Sequence, residues 1–338
     1  MKSPFLLALS GLLALVTSPL LAETEPLLKS GDKVVIVGNT IIERARLSGH
    51  LETALQLAAG PEVEDLSFRN LGWSGDSVFG DSRSYFGTPE EGRTRLSQNL
   101  TDLKPTVALL CYGTGAAMSV ESGWTNEKSA AKTSGAGMEE SLKLFTEAYQ
   151  ELIERVRTAS GPQLREIVLI SPPPLENLPA PLPDQTENNK RLAQFRDAIR
   201  DIAVKDNLRF VDLFNALGGD DFSGEIASPA LTTNGVHYSE TGYQILAKAL
   251  VEELGYPESA SPSSDSPSVA KLRSEIIEKN RLFFHRWRPA NETYLFLFRK
   301  HEQGQNAKEI PMFDPLIEEQ EKSIEKAKEL VFSESAKQ

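Results

Sequence analysis

Short apolar runs alternate with segments of helical periodicity along most of the chain. Continuous apolar runs of a few residues are typical of strands buried on both faces, and apolar residues that recur at three and four positions indicate amphipathic helices. The pattern predicts strands over 33–37, 66–69, 106–111, 166–170 and 209–213. It predicts helices over 40–57, 139–158, 186–205 and 239–254, the last capped by Ser239. Such alternation predicts an α/β fold: a three-layer α/β/α sandwich around a five-stranded parallel sheet.

Polar stretches divide this pattern and mark the expected domain limits. Long loops are predicted over 70–90, 113–137 and 218–234, and loops of this length are often functional. The main domain is predicted to span 31–256, followed by a Ser/Pro-rich linker over 257–270. A helical accessory segment over 271–332 is too small to form much core alone, so we expect it to pack on the main domain.

The N-terminus has the features of a secretory signal peptide. Lys2 precedes an apolar run from Phe5 to Val16, and a small residue, Ala22, stands at the expected cleavage point. The alternative, an uncleaved membrane anchor, is disfavoured because the apolar stretch is short and is interrupted by polar residues, glycine and proline. Residues 1–22 therefore predict an exported protein, periplasmic or secreted, with no stable membrane insertion after cleavage.

Composition narrows the classes of function. The formal net charge of −12 argues against general nucleic-acid binding. The single cysteine, Cys111, excludes an internal disulfide and is expected to be a small buried side chain. The four histidines show no metal-ligand spacing, so no metal and no cofactor are expected. The oligomeric state is left open.

Candidate chemistry is concentrated in three polar turns that follow predicted strands or precede the last helix. These turns are Gly38-Asn39-Thr40, Gly113-Thr114-Gly115 and Asn234-Gly235-Val236-His237. In parallel sheets, ligands bind beyond the carboxyl ends of the strands. Thr40 offers a hydroxyl and His237 an imidazole, which are two parts of a nucleophilic site.

In their order and spacing these blocks resemble the SGNH hydrolases, also called GDSL lipases and esterases. The resemblance implies that Thr40 stands where the family has its nucleophilic serine, with His237 as base and Asn234 in place of the usual aspartate. The block from Asn70 to Asp76 matches the family's second block, which implies that Gly72 is an oxyanion donor. Gly115 falls where the family has an oxyanion asparagine. The candidate site residues are therefore Thr40, His237 and Asn234 as catalytic residues, and Gly72, Asn39, Gly115 and Asp76 as oxyanion or binding residues.

Residues 42–44 and 280–287 also look like a divergent exported group of SGNH-type proteins from planctomycete-like bacteria. The resemblance implies hydrolysis of an ester, with an O-acyl ester of a carbohydrate as the candidate substrate. Whether the chain is an enzyme is left open. The alternatives are a catalytically inactive protein that binds carbohydrate or an anion, and a scaffold whose tail binds another protein.

Three departures from the family pattern weaken the expected chemistry. The methyl group of Thr40 crowds nucleophilic attack, and Asn234 cannot stabilise an imidazolium as a carboxylate does. Gly115 has no side-chain donor, and loss of one oxyanion donor costs about 3 kcal/mol elsewhere. Efficient turnover would require a substitute group, for which the sequence offers Asp76, Asp81, Glu43 or a residue of the C-terminal segment. Thr40 has a second interpretation, because Thr40-Ile41-Ile42-Glu43 matches a helix capping box.

The roles of two further sets of residues have two interpretations each. Residues 279–300 include six cationic residues and one acidic residue, Glu292. The cationic residues either bind an anion or pair with acidic residues of the main domain. The loop aromatics either stack on sugar rings or are buried under the loops; they are Trp73, Tyr85, Phe86 and Trp124.

Overall fold

A computed structural model describes residues 25–120, 137–221, 229–257 and 266–336. Five strands form one parallel sheet in the order β2-β1-β3-β4-β5. The strands are β1 (Lys33–Gly38), β2 (Ser67–Asn70), β3 (Val107–Cys111), β4 (Glu166–Ile170) and β5 (Arg209–Val211). The predicted five-stranded parallel sheet is therefore confirmed. The predicted signal peptide, Trp124 and most of the predicted linker lie outside the described residues.

Twelve α-helices occur in the described ranges. They are α1 (Thr40–Ser48), α2 (His50–Ala59), α3 (Pro89–Leu103), α4 (Thr114–Ser119), α5 (Met138–Ser160), α6 (Thr186–Lys205), α7 (Leu213–Ala216), α8 (Glu240–Glu253), α9 (Pro267–Trp287), α10 (Glu292–Leu295), α11 (Lys300–Gln303) and α12 (Phe313–Ser335). Short 3-10 turns lie at Asp81–Arg83, Gly219–Asp221 and Gly304–Met312. Ser239 caps α8 as predicted, because its hydroxyl accepts a hydrogen bond from the Gly242 amide.

Three helix predictions need correction. Helix α4 lies within the loop predicted over 113–137. The single helix expected over 40–57 is two helices, because Gly49 adopts a left-handed conformation with φ of 70° and ends α1. Helix α3 begins in what was predicted as a loop, and its length was missed. Only a narrow stripe of it, including Leu96 and Leu100, is buried, so its periodicity is weak.

Alternate residues of the central strands face two separate cores. Val35 and Val37 pack with α3, α5 and α6 on one face, whereas Val34 and Ile36 pack with α1, α2 and α8 on the other. This alternation follows from the two-residue period of a strand and produces the predicted three layers. Cys111 is buried in the second core, where burial raises the pKa of its thiol to about 12.

The C-terminal segment is packed on the main domain, as expected. Helix α9 pairs with α12 and also contacts α1, α2 and the edge strand β2. The ammonium group of Lys279, fully buried, donates to Glu52 Oε2 at 2.7 Å and to the Phe68 carbonyl at 2.9 Å. These contacts tie α9 to the main domain through a paired, satisfied buried charge. Across the described ranges, no helix is both long and apolar enough to cross a membrane.

Candidate active site

Thr40 lies at the carboxyl edge of the sheet, at the start of α1. Strand β1 ends at Gly38, which lies opposite Cys111 at the end of β3. The two strands are so close that a Cβ on Gly38 would stand 2.6 Å from the Cys111 carbonyl oxygen. Helix α1 begins two residues after Gly38, and Thr40, its first residue, is only half-buried.

The cap of α1 is Asn39, so the capping box predicted for Thr40 and Glu43 is wrong. Asn39 Oδ1 accepts a hydrogen bond from the Ile41 amide at 3.2 Å, and its side chain is buried. Glu43 does not turn back to the helix start, because its carboxylate accepts from the Ser74 amide and from Arg288 instead. The sequence pattern was ambiguous because asparagine and threonine both favour cap positions.

We expect Asn39→Ala to lower the free energy of unfolding by about 1 kcal/mol, because it leaves a helix-terminal amide without its acceptor. Thr40→Ala should change the melting temperature much less, since Thr40 is inside the helix. Thermal denaturation of the two variants beside the parent protein makes the comparison. Equal losses of stability in both would contradict this assignment of the cap.

The backbone amide that meets the Thr40 hydroxyl belongs to Gly75. Its N–H lies 3.3 Å from Thr40 Oγ1. The amide of Gly72, expected to be the oxyanion donor, instead donates to Asn70 Oδ1 at 2.8 Å. A Cβ on Gly72 would stand 2.2 Å from the Glu43 amide nitrogen, so this glycine is required for close packing against α1. The structure thus places Gly75 beside Thr40 and gives Gly72 a packing role.

His237 is held by Asn234 in a defined orientation. Asn234 Oδ1 accepts hydrogen bonds from the amides of Val236 at 3.2 Å and His237 at 2.8 Å. These two donors fix the amide orientation and leave Nδ2 of Asn234 3.2 Å from His237 Nδ1. Because an amide nitrogen can only donate, Nδ1 is the acceptor and the neutral ring carries its proton on Nε2. A general base of the triad type needs the opposite tautomer, with Nε2 unprotonated.

Electrostatics disfavour the imidazolium form of His237 as well. The pKa of His237 is lowered from its ordinary value, first by burial and second by the positive charge of Arg44. Arg44 is exposed and lies one helical turn after Thr40 on α1. Within the described part of the chain, the hydrogen bonds of the His237 ring and the Thr40 hydroxyl run to Asn234 and Gly75 and do not join the two residues. His237 is therefore set up as a neutral hydrogen-bond donor.

The turn that carries His237 is anchored by Glu176, a residue that the sequence pattern did not single out. Its carboxylate accepts from the Leu231 amide at 2.9 Å, and from the amide and hydroxyl of Thr232 at 2.7 and 2.6 Å. Gly235 fits the turn with φ of 85°, and a Cβ there would stand 2.8 Å from the Glu176 carbonyl oxygen. No local motif marks Glu176, because it lies 61 residues before His237 in the sequence.

The three carboxylates considered as substitutes for the missing aspartate all have other partners. Asp76 is buried, accepts from Arg83 Nε at 2.6 Å and from the Tyr112 hydroxyl at 2.7 Å. Asp81 accepts from the Ser77 hydroxyl at 2.7 Å. Glu43 is bound by Ser74 and Arg288. Asp76, predicted as a binding residue, thus forms a buried ion pair beneath the loop.

Glu43 is the carboxylate nearest in sequence to Thr40 and is held as an anion. Burial acts to raise its pKa, but the hydrogen bonds from Ser74 and Arg288 outweigh burial, and the pKa lies below its ordinary value. Gly115, in contrast, is exposed near the start of α4, and a Cβ there would meet no heavy atom within 4 Å. The position expected to hold an oxyanion asparagine is therefore open space.

Most of the loop aromatics in the described ranges are at least half-buried, and the arginines of the C-terminal segment form ion pairs. Trp73 is buried and Tyr85 is half-buried, whereas Phe86 is 73% exposed. Among the tail cations, Arg286 pairs with Asp314 within the C-terminal segment and Arg288 pairs with Glu43 of the main domain. These contacts favour the docking interpretation of the tail over a free anion site. The described residues contain no cluster of three or more histidine, cysteine or carboxylate side chains that could hold a metal ion.

The chain belongs to the GDSL-like lipase/acylhydrolase family, whose sequence model matches residues 39–245, more than half of its length. This match confirms the resemblance to the SGNH hydrolases. No curated protein matches the sequence significantly.

Solved structures share the fold at low sequence identity. An acetylxylan esterase from Geobacillus stearothermophilus, Axe2, solved as a catalytic mutant, is 20% identical with a TM-score of 0.51 over 70% of this chain and 99% of that one. A gut microbial diltiazem-metabolizing enzyme is 18% identical with a TM-score of 0.52 over 69% of this chain. The match covers 48% of the second protein's length, so less than half of that enzyme is represented here.

Proposed function

We propose that this protein is an exported member of the family that binds an O-acylated carbohydrate at the site around Thr40 and His237. Binding is its main activity, and any hydrolysis of the ester is far slower than in a member with an intact triad. The observation that carries the proposal is the hydrogen bond between Asn234 Nδ2 and His237 Nδ1. It leaves the proton on Nε2, where a base must be free to accept one.

What remains at the site is suited to recognition. The Thr40 hydroxyl and His237 Nε2–H are donors for carbonyl or sugar hydroxyl oxygens, and Gly75 adds a backbone amide beside Thr40. A carbohydrate ester is the first ligand to try, since the acetylxylan esterase shares this fold. Neutral donors of this kind also agree with a ligand that need not carry charge.

A slow esterase with Thr40 as nucleophile is the second candidate function. It is favoured by the position of Thr40, which is half-buried at the start of α1 with the Gly75 amide 3.3 Å from its hydroxyl. An amide in that position also suits an oxyanion donor. The two candidates predict the same binding residues and differ in turnover.

The test measures binding and turnover together on purified mature protein. Acetylated xylo-oligosaccharides are titrated by calorimetry, and hydrolysis of those sugars and of p-nitrophenyl acetate is followed for the parent, Thr40→Ala and His237→Ala. We expect binding that His237→Ala weakens, and turnover at least about a thousandfold below the typical 10 per second. Turnover near that typical value, abolished by Thr40→Ala, would instead establish an efficient esterase. Deacetylated oligosaccharides serve as the control for recognition of the acyl group.

Export rests on the N-terminal segment and is tested separately. Expression of the full chain in a bacterium with mass analysis of the exported protein should give an N-terminus at Glu23. A chain that keeps Met1 in the cytoplasm would remove export from the proposal without affecting the site.

A further inference from the structure

Three successive backbone amides fix the loop from Trp73 to Gly75 to the end of β1 and to the first turn of α1. Trp73 N–H donates to the Gly38 carbonyl at 2.9 Å, and Gly75 N–H lies 3.3 Å from Thr40 Oγ1. Between them, Ser74 N–H donates to Glu43 Oε2 at 2.5 Å. The Glu43 carboxylate therefore holds the residue that precedes the amide facing Thr40.

Arg288 of the C-terminal segment contacts this loop at two points. Its Nη1 donates to Glu43 Oε2 at 2.8 Å, the same oxygen that accepts from Ser74. Its guanidinium carbon lies 3.8 Å from the centre of the Trp73 ring, a stacked cation–π contact. Arg288 thus contacts the Trp73 ring and also holds the Glu43 carboxylate that accepts from the Ser74 amide. It therefore restrains both residues that precede Gly75.

We propose that Arg288 is a positioning residue for the candidate active site, and that the C-terminal segment completes that site. Arg288 holds Glu43 and Trp73 in the arrangement that keeps the Gly75 amide beside Thr40. The site is therefore built from two parts of the chain more than 200 residues apart. The inference rests on the proposed function only for the location of the ligand.

Removal of Arg288 is expected to leave the C-terminal segment docked. The buried pair of Lys279 with Glu52 and an apolar cluster that joins the main domain to α9 and α12 remain. That cluster comprises Leu57, Val269, Leu272, Ile276, Ile324, Ala327 and Val331. Local loosening of the loop can therefore be separated from undocking of the segment.

The chain offers a matched control for this residue. Arg286 is two positions earlier and is also half-buried, and its guanidinium makes two hydrogen bonds to Asp314, at 2.7 and 3.1 Å. Asp314 belongs to α12, so this ion pair lies within the C-terminal segment. Arg286→Ala thus removes a comparable ion pair without touching the loop.

Amide hydrogen exchange, resolved by NMR, tests the inference on the parent, Arg288→Ala, Arg288→Lys and Arg286→Ala. Arg288→Ala should speed exchange at Ser74 and Gly75 about tenfold, because the Ser74 amide is exposed and depends on Glu43 for its protection. Trp73, whose amide is bonded to β1, should stay protected. Arg288→Lys keeps the charge without the planar stack, so it should restore part of the protection. Arg286→Ala should leave this loop unchanged.

Binding of an acetylated xylo-oligosaccharide supplies the second measurement. Arg288→Ala should weaken binding about tenfold, and Arg286→Ala should leave it within twofold of the parent. Unchanged exchange at Ser74 and Gly75 in Arg288→Ala, whatever the melting temperature, would overturn the inference. If the parent does not bind the sugar, the proposed ligand is wrong, and the exchange data still decide the role of Arg288.

Discussion

Asn234→Asp should raise the rate of ester hydrolysis by at least about a hundredfold, with an upper limit of about ten-thousandfold. One oxygen of the new carboxylate can accept the hydrogen bonds from the amides of Val236 and His237, as Asn234 Oδ1 does in the parent protein. Its second oxygen stands where Nδ2 lies, 3.2 Å from His237 Nδ1. Because a carboxylate can only accept, Nδ1 must carry the proton and Nε2 becomes free to act as base.

The same substitution should raise the pKa of His237, since a negative charge beside the ring stabilises the imidazolium. The base is active when neutral, so the rate should fall as the pH falls through this raised pKa. In the parent protein, burial and Arg44 lower the pKa, so any His237-dependent rate should persist to lower pH. Rates measured from pH 5 to 9 and nitrogen-15 NMR of the ring report the pKa and the tautomer together.

His237→Gln added to Asn234→Asp is the control and should remove the whole gain. Asn234→Asp could leave the rate unchanged while NMR shows the ring already protonated on Nδ1 in the parent protein. Those two results together would mean that another acceptor holds the imidazole. That result would contradict the tautomer derived from the Asn234 hydrogen bonds.

A triple variant adds Gly115→Asn and Thr40→Ser to Asn234→Asp. Its rate of ester hydrolysis should be about a hundredfold above that of Asn234→Asp alone. One oxyanion donor is worth about 3 kcal/mol, and serine removes the methyl group that crowds attack. The asparagine fits, because a Cβ at position 115 meets no heavy atom within 4 Å and the backbone there has no left-handed φ. Rates on p-nitrophenyl acetate and on acetylated xylo-oligosaccharides measure the effect.

Gly115→Ala in the same combination separates the donor from the added bulk. It should leave the rate close to that of the glycine-bearing combination and raise the melting temperature slightly, because alanine favours a helical position more than glycine does. If asparagine and alanine give the same rate, the side chain at position 115 does not reach the developing oxyanion.

The sheet and most of its helices followed from the sequence because their signals are local. Strand β4 and helix α6 have the predicted bounds, 166–170 and 186–205, since continuous apolar runs and helical spacing report burial directly. Helix α3 was missed because few of its residues are buried, and the break at Gly49 depends on one backbone conformation. The capping box failed because Glu43 has a partner, Arg288, that is 245 residues away.

By itself, the sequence determined the α/β class, the family and the positions of Thr40, Asn234 and His237 at one edge of the sheet. It could do so because strand ends and polar turns are neighbours in the chain. Only the tertiary structure decided what those residues can do. The proton position on His237 depends on which backbone amides Asn234 accepts, and the amide beside Thr40 depends on how a loop packs against α1. Hydrogen-bond direction and long-range packing leave no periodic signal, so they appear only when the chain is folded.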